Sequence, residues 1–102
     1  MILIYTPCKD EKEAEKIAET LLQEKLVACA NILPSKSLYF WRGKLTKENE
    51  AILLLKTIKN SASKVEKRIK ELHSYELPCI IKIEGTANEE FEKWVEENKR
   101  GH

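Results

Sequence analysis

The chain has 102 residues, enough for one domain spanning 1–102 with a modest core. Its 18 basic and 17 acidic residues leave a net charge of +1, which argues against nucleic-acid binding, because a nucleic-acid footprint is lopsidedly basic. No apolar run reaches the roughly 20 residues that cross a bilayer, and Met1-Ile2-Leu3-Ile4-Tyr5 reads as a strand rather than a leader or membrane segment.

Residues 2–6 are β-branched and aromatic and predict a strand, with Pro7 as its stop. Asp10 stands at a helix start, with Glu11 and Glu13 in the first turn, where the helix dipole favours acids. Ala14, Ile17, Ala18, Leu21 and Leu22 then recur at helical spacing, predicting an amphipathic helix that ends near Lys25. A long strand is expected from about Leu26. Pro34 cannot donate to a ladder, so Pro34-Ser35-Lys36 is expected to bulge or bend it. From Ser37 to Trp41 side chains alternate, Leu38 and Phe40 to one side, Tyr39 and Trp41 to the other. Arg42-Gly43-Lys44 supplies the glycine of a tight reversal, and a polar run leads into the apolar stretch 51–55. A strand apolar on both faces is expected to be covered on both.

Asn60-Ser61 reads as the cap of a second helix with Ala62, Val65, Ile69 and Leu72 on its apolar stripe. The connection His73-Ser74-Tyr75-Glu76-Leu77-Pro78 leads to a strand over 79–85, with Ile81 and Ile83 on the face of Cys79. Asn88 can cap a last helix carrying Phe91, Trp94 and Val95 and ending at Lys99, Arg100, Gly101 and His102. The order β-α-β-β-α-β-α predicts an α+β fold. It is the ferredoxin-like βαββαβ plait with a long central hairpin, an extra C-terminal helix and the first two helices on one side of the sheet. The long second strand falls at an edge. Its Leu, Tyr, Phe and Trp invite pairing with another chain, so an oligomer is expected.

The three cysteines, Cys8, Cys29 and Cys79, show no C-x-x-C pair, and reduced thiols in a cytoplasmic protein are expected. His73, the one internal histidine, could act as acid or base, bind a metal, or cap the preceding helix. Cys79 could join it as a soft ligand or be a small buried residue, and burial is expected more strongly still for Cys29. Cys8, beside Pro7 in a loop, is expected to be the exposed, reactive thiol. Tyr39, Trp41 and Tyr75 could line a pocket, or pack at a subunit interface. Glu50 and Lys56 could pair at the ends of the apolar strand, or simply be solvated. No G-x-S-x-G, P-loop, G-x-G-x-x-G, H-E-x-x-H or E-x-x-H motif is present, and no catalytic residue is assigned.

EKLVACANILP from Glu24, SLYFWRGKL from Ser37, E-x-x-L-L-x-K-T ending at Lys56-Thr57, and HSYELP from His73 together resemble the CutA divalent-cation tolerance family. The resemblance implies a homotrimer whose long hairpin strands pair across subunits, related in architecture to the PII-type trimeric signalling proteins. It implies a non-enzymatic role in tolerance of copper or another divalent metal ion. The proposed metal ligands of bacterial members fall here on Thr6, Leu72 and Cys79, while His73 matches a histidine of the family motif. Metal binding is therefore expected at His73 and Cys79, with water or a neighbouring subunit completing the coordination and His102 as an adventitious donor. The alternative is a PII-like small-molecule sensor or scaffold using inter-subunit clefts lined by Tyr39, Trp41, Lys56, His73 and Tyr75.

Overall fold

The computed structural model describes residues 1–99, so the expectations for Arg100, Gly101 and His102 lie outside the described residues. The first strand, β1, is Ile2–Cys8 and does not stop at Pro7. Its ladder to the fourth strand, β4 (Ile81–Glu84), ends at the pair Tyr5↔Ile81. Pro7 therefore has only one neighbouring strand, and its missing N–H leaves no gap on the β4 side. The same limit explains why β4 starts at Ile81 rather than at Cys79.

Helix α1, Glu11–Gln23, begins as expected: Asp10 Oδ1 accepts from Glu13 N at 2.8 Å. Ala14, Ile17, Ala18 and Leu21 are buried, while Leu22 lies on the exposed shoulder of the stripe. The helix ends in a Schellman turn without glycine. Leu26 N donates to Leu21 O at 2.9 Å, Lys25 N donates to Leu22 O at 3.0 Å, and Lys25 takes the left-handed φ of 60°.

The two long strands are β2 (Cys29–Trp41) and β3 (Lys44–Thr57). Their register runs from Cys29↔Lys56 to Trp41↔Lys44 without a break, so the expected bulge at Pro34 is absent; Pro34 simply pairs with Ala51. The sheet order β2-β3-β1-β4 explains this, because β2 is an edge strand and a proline there can turn its donor-less side to solvent. Arg42 and Gly43 close the hairpin with φ of 52° and 78°, both left-handed, as a type I′ turn requires.

Asn60 and Ser61 do not cap by side chain. They belong to a short 3-10 turn, Lys59–Ser61, that leads into α2, Ala62–Leu72. Helices α1 and α2 cover one face of the sheet, where Ile4, Leu53, Leu55, Val65 and Ile69 are fully buried. Arg68 fastens the two helices by a two-pronged contact with Glu24, at 2.9 and 2.8 Å. The last helix, α3 (Glu89–Lys99), packs on the other face against β3, placing Phe91 5.3 Å from the Lys56 ammonium. The stretch 51–55 is thus covered under α1 and α2 at Ala51, Leu53 and Leu55. On its second face Ile52 is buried and Leu54 half-buried. Farther out the hairpin stands clear of the helices and gives the molecule extents of 46 × 25 × 21 Å. There Phe40 is 76% and Trp41 60% exposed in the single chain.

Candidate functional site

The end of α2 sets the orientation of His73. Its N–H completes the helix by donating to Ile69 O at 2.8 Å, and the backbone then turns extended. The ring is buried, with Nε2 2.8 Å from Pro7 O and Nδ1 3.1 Å from Tyr75 N. Pro7 O can only accept and the Tyr75 amide can only donate. The neutral tautomer follows: Nε2 carries the proton and Nδ1 the lone pair. The Tyr75 ring lies tilted against the imidazole, 4.8 Å between centroids.

Cys8 and Glu13 stand beside this ring. One donor atom from each of Cys8, Glu13 and His73 lies within 4.8 Å of the others. Cys8 is fully buried, not the exposed loop thiol expected from its proline neighbour, because β1 continues through Pro7 and turns Cys8 inward. Burial, helped by the charges of Glu13, Glu50 and Asp10, pushes its thiol up to about 12. Burial pushes the Glu13 carboxyl up too, but opposing contacts win and hold it below the usual carboxylate range. They are hydrogen bonds from the Ser74 side chain, from the Lys9 N–H at 3.0 Å and from the Ser74 N–H at 2.9 Å. Two residues before Cys8, on the same face of β1, Thr6 is fully buried, and its hydroxyl has no hydrogen-bond partner among the described residues.

Cys79 is exposed, contrary to the expectation of burial, since β4 begins only after it; Cys29 is half-buried. Cys79 lies in the wall of a cleft of about 850 Å³ on the open face of the hairpin, shared with Tyr39, Trp41, Glu48, Glu50 and Tyr75. Three of the aromatic residues named from the sequence therefore come together. Lys56 points elsewhere on that face, with Nζ 3.1 Å from Asn31 Oδ1 and 3.9 Å from Cys29 Sγ. Glu50 pairs with neither Lys56 nor water alone: it accepts from Tyr75 Oη at 2.7 Å and from Ser37 Oγ. Glu13 was missed as a site residue. Its spacing from Asp10, that of a capping box, was the available signal that its carboxylate folds back over the helix start.

A four-stranded antiparallel sheet with two helices on one face, a third on the other and a protruding hairpin defines a ferredoxin-like protein. Residues 2–98 match the model of the CutA1 divalent ion tolerance protein family, and the chain belongs to that family. The Pyrococcus horikoshii divalent-cation tolerance protein CutA is 42% identical over 102 residues, covering 98% of this chain and 100% of that protein. The structure described as the periplasmic divalent cation tolerance protein CutA from Archaeoglobus fulgidus superposes with a TM-score of 0.92 at 38% identity, covering 97% and 99% of the two chains. The PII-like protein CutA from Nostoc sp. in apo form gives a TM-score of 0.89 at 32% identity, covering 97% of both chains.

Proposed function

We propose that the chain serves divalent-cation tolerance as a cytoplasmic homotrimer that binds copper or another soft divalent ion and carries out no catalytic turnover. The observation that carries this reading is the buried, oriented imidazole of His73 in a chain that matches the family over residues 2–98. His73 supplies nitrogen, and Cys79, exposed beside the cleft, is the thiol an incoming ion meets first. Both ring nitrogens of His73 are engaged with backbone groups, so an ion binds Nδ1 only by displacing the Tyr75 N–H. The aromatic edge of the hairpin supports assembly, because an exposed apolar edge strand is a pairing surface. The test combines sedimentation, copper titration calorimetry on untagged protein and rescue of copper sensitivity in a strain lacking its own family member. A folded 11.8 kDa monomer at micromolar concentration overturns the assembly. Absence of copper binding together with absence of rescue overturns the role.

The cleft favours a second reading, a PII-like small-molecule sensor. Its volume of about 850 Å³ and the faces of Tyr39, Trp41 and Tyr75 suit a flat organic ligand. A metabolite thermal-shift screen separates the two: a hit lost in Tyr39→Ala, with no response to metals, selects the sensor.

A further inference from the structure

Three donors of different chemistry converge where β1 ends, α1 begins and α2 stops. In a tetrahedral site with bonds of about 2.0–2.3 Å, ligand atoms stand about 3.3–3.8 Å apart. Cys8, Glu13 and His73 already hold one donor atom each within 4.8 Å of the other two, so small side-chain rotations close them onto a single ion. We infer that Cys8 Sγ, a Glu13 carboxylate oxygen and His73 Nδ1 form a three-donor site for a zinc-class divalent ion, with the fourth position taken by water. The inference rests on the proposal that the chain binds divalent ions, and adds the ligand set and the class of metal.

The surroundings favour this. A metal-bound histidine is usually held by its other ring N–H donating to a carbonyl or carboxylate. His73 has that contact in place through Nε2 and Pro7 O, while the Nδ1 lone pair is occupied only by the local bond from Tyr75 N. The Glu13 carboxylate accepts from Lys9 N, Ser74 N and the Ser74 side chain, which fixes it yet leaves one of its about four acceptor positions open. The unpartnered Thr6 hydroxyl is a second observation, since a buried polar atom without a partner is costly. It lies one inward position along β1 from Cys8, on the strand that carries the thiol. Entry is open on the Glu13 side, where the carboxylate borders a surface groove with Lys9, Ile17 and Leu72. One sulfur, one nitrogen and one oxygen suit Zn²⁺ and its spectroscopic substitute Co²⁺, whereas Mg²⁺ and Ca²⁺ require oxygen cages.

Cobalt titration of the untagged full chain under anaerobic reducing conditions tests the site. The expected result is a thiolate-to-cobalt charge-transfer band for one sulfur, lost in Cys8→Ser and retained in Cys79→Ser. Loss of outer-shell partners alone weakens metal binding about 10–100-fold, so Glu13→Gln should weaken cobalt binding by at least about tenfold. A band that persists in Cys8→Ser, or a wild-type chain that shows none, overturns the inference. Should Cys8→Ser fail to fold, unchanged affinity in Glu13→Gln overturns it alone. An intact site in a chain that fails to restore copper tolerance would sink the physiological role and leave the site standing. Copper binding indifferent to Cys8 and Glu13 would do the reverse.

Discussion

Tyr75 Oη donates a 2.7 Å hydrogen bond to Glu50 Oε2, joining the loop after α2 to the middle of β3. Burial first, and then the bond to Glu50, push the phenol well above its ordinary value, so it remains a donor across the neutral range. A hydrogen bond to a charged group contributes about 1.5–3 kcal/mol. Tyr75→Phe should lower the unfolding free energy by about 1.5 kcal/mol, the smaller end of that range, and with it the urea midpoint, because the pair is only partly buried. An unchanged midpoint would show that solvent replaces the bond at no cost. A raised folded value means that this stability is full below the ordinary phenol pKa of about 10 and declines as the pH rises above it. Tyr75→Phe should therefore also flatten part of the alkaline limb.

Glu13 gives the opposite sign. Its folded carboxyl sits below the usual range, so its contribution is present above the unfolded pKa and lost as the pH falls through the folded value. In chelator, Glu13→Gln should make stability less dependent on pH in the acid range below about 4.5. Parallel acid limbs for wild type and variant would contradict the hydrogen-bond origin of the shift.

Truncation of the hairpin aromatics should act on assembly. Trp41 is 60% exposed in the single chain, so Trp41→Ala removes little packing within it. If the residue is enclosed in a trimer, its truncation costs about 3–5 kcal/mol, as in a domain core. The loss should appear in sedimentation as dissociation at dilutions where the wild type stays associated. Intact assembly with loss of ligand binding would assign Trp41 to the cleft instead.

Thiol labelling should follow exposure rather than sequence context. Cys79 should react first with iodoacetamide and Cys29 more slowly. Cys8, buried and with its thiol pushed up to about 12, should react only at the rate of local opening. Mass spectrometry of partly labelled native protein checks the order, and early modification of Cys8 would contradict the burial.

Periodicity made most of this fold legible. The stripes of α1 and α2, the Asp10 cap and the Gly43 reversal are local features, each specified within a few residues. Two of the departures, at Pro7 and Pro34, come from prolines. Proline suggests a break because it removes a donor, yet whether that donor is missed depends on which strands flank it. Sheet order decides that, and it is a long-range property. The reading of Pro7 carried over to the site. A β1 ending at Thr6 puts Cys8 in a loop, and a β4 starting at Cys79 puts that thiol in a strand; the structure has the two environments exchanged. His73 is the one internal histidine, and its ring is anchored to Pro7 O and Tyr75 N. Its neighbour Glu13 lies 60 positions away in sequence, beyond the reach of spacing arguments.

The uninterrupted β2–β3 ladder also constrains how the protruding arm can change in length. With side chains alternating at every residue, removing one facing pair would turn Tyr39 and Trp41 to the side now taken by Leu38 and Phe40. Removing two facing pairs would preserve both surfaces and shorten the arm by about 7 Å, at about 3.4 Å per residue. Insertions and deletions compatible with the same partner surface should therefore come in multiples of two pairs. The Arg42-Gly43 turn is the hinge across which they must be balanced.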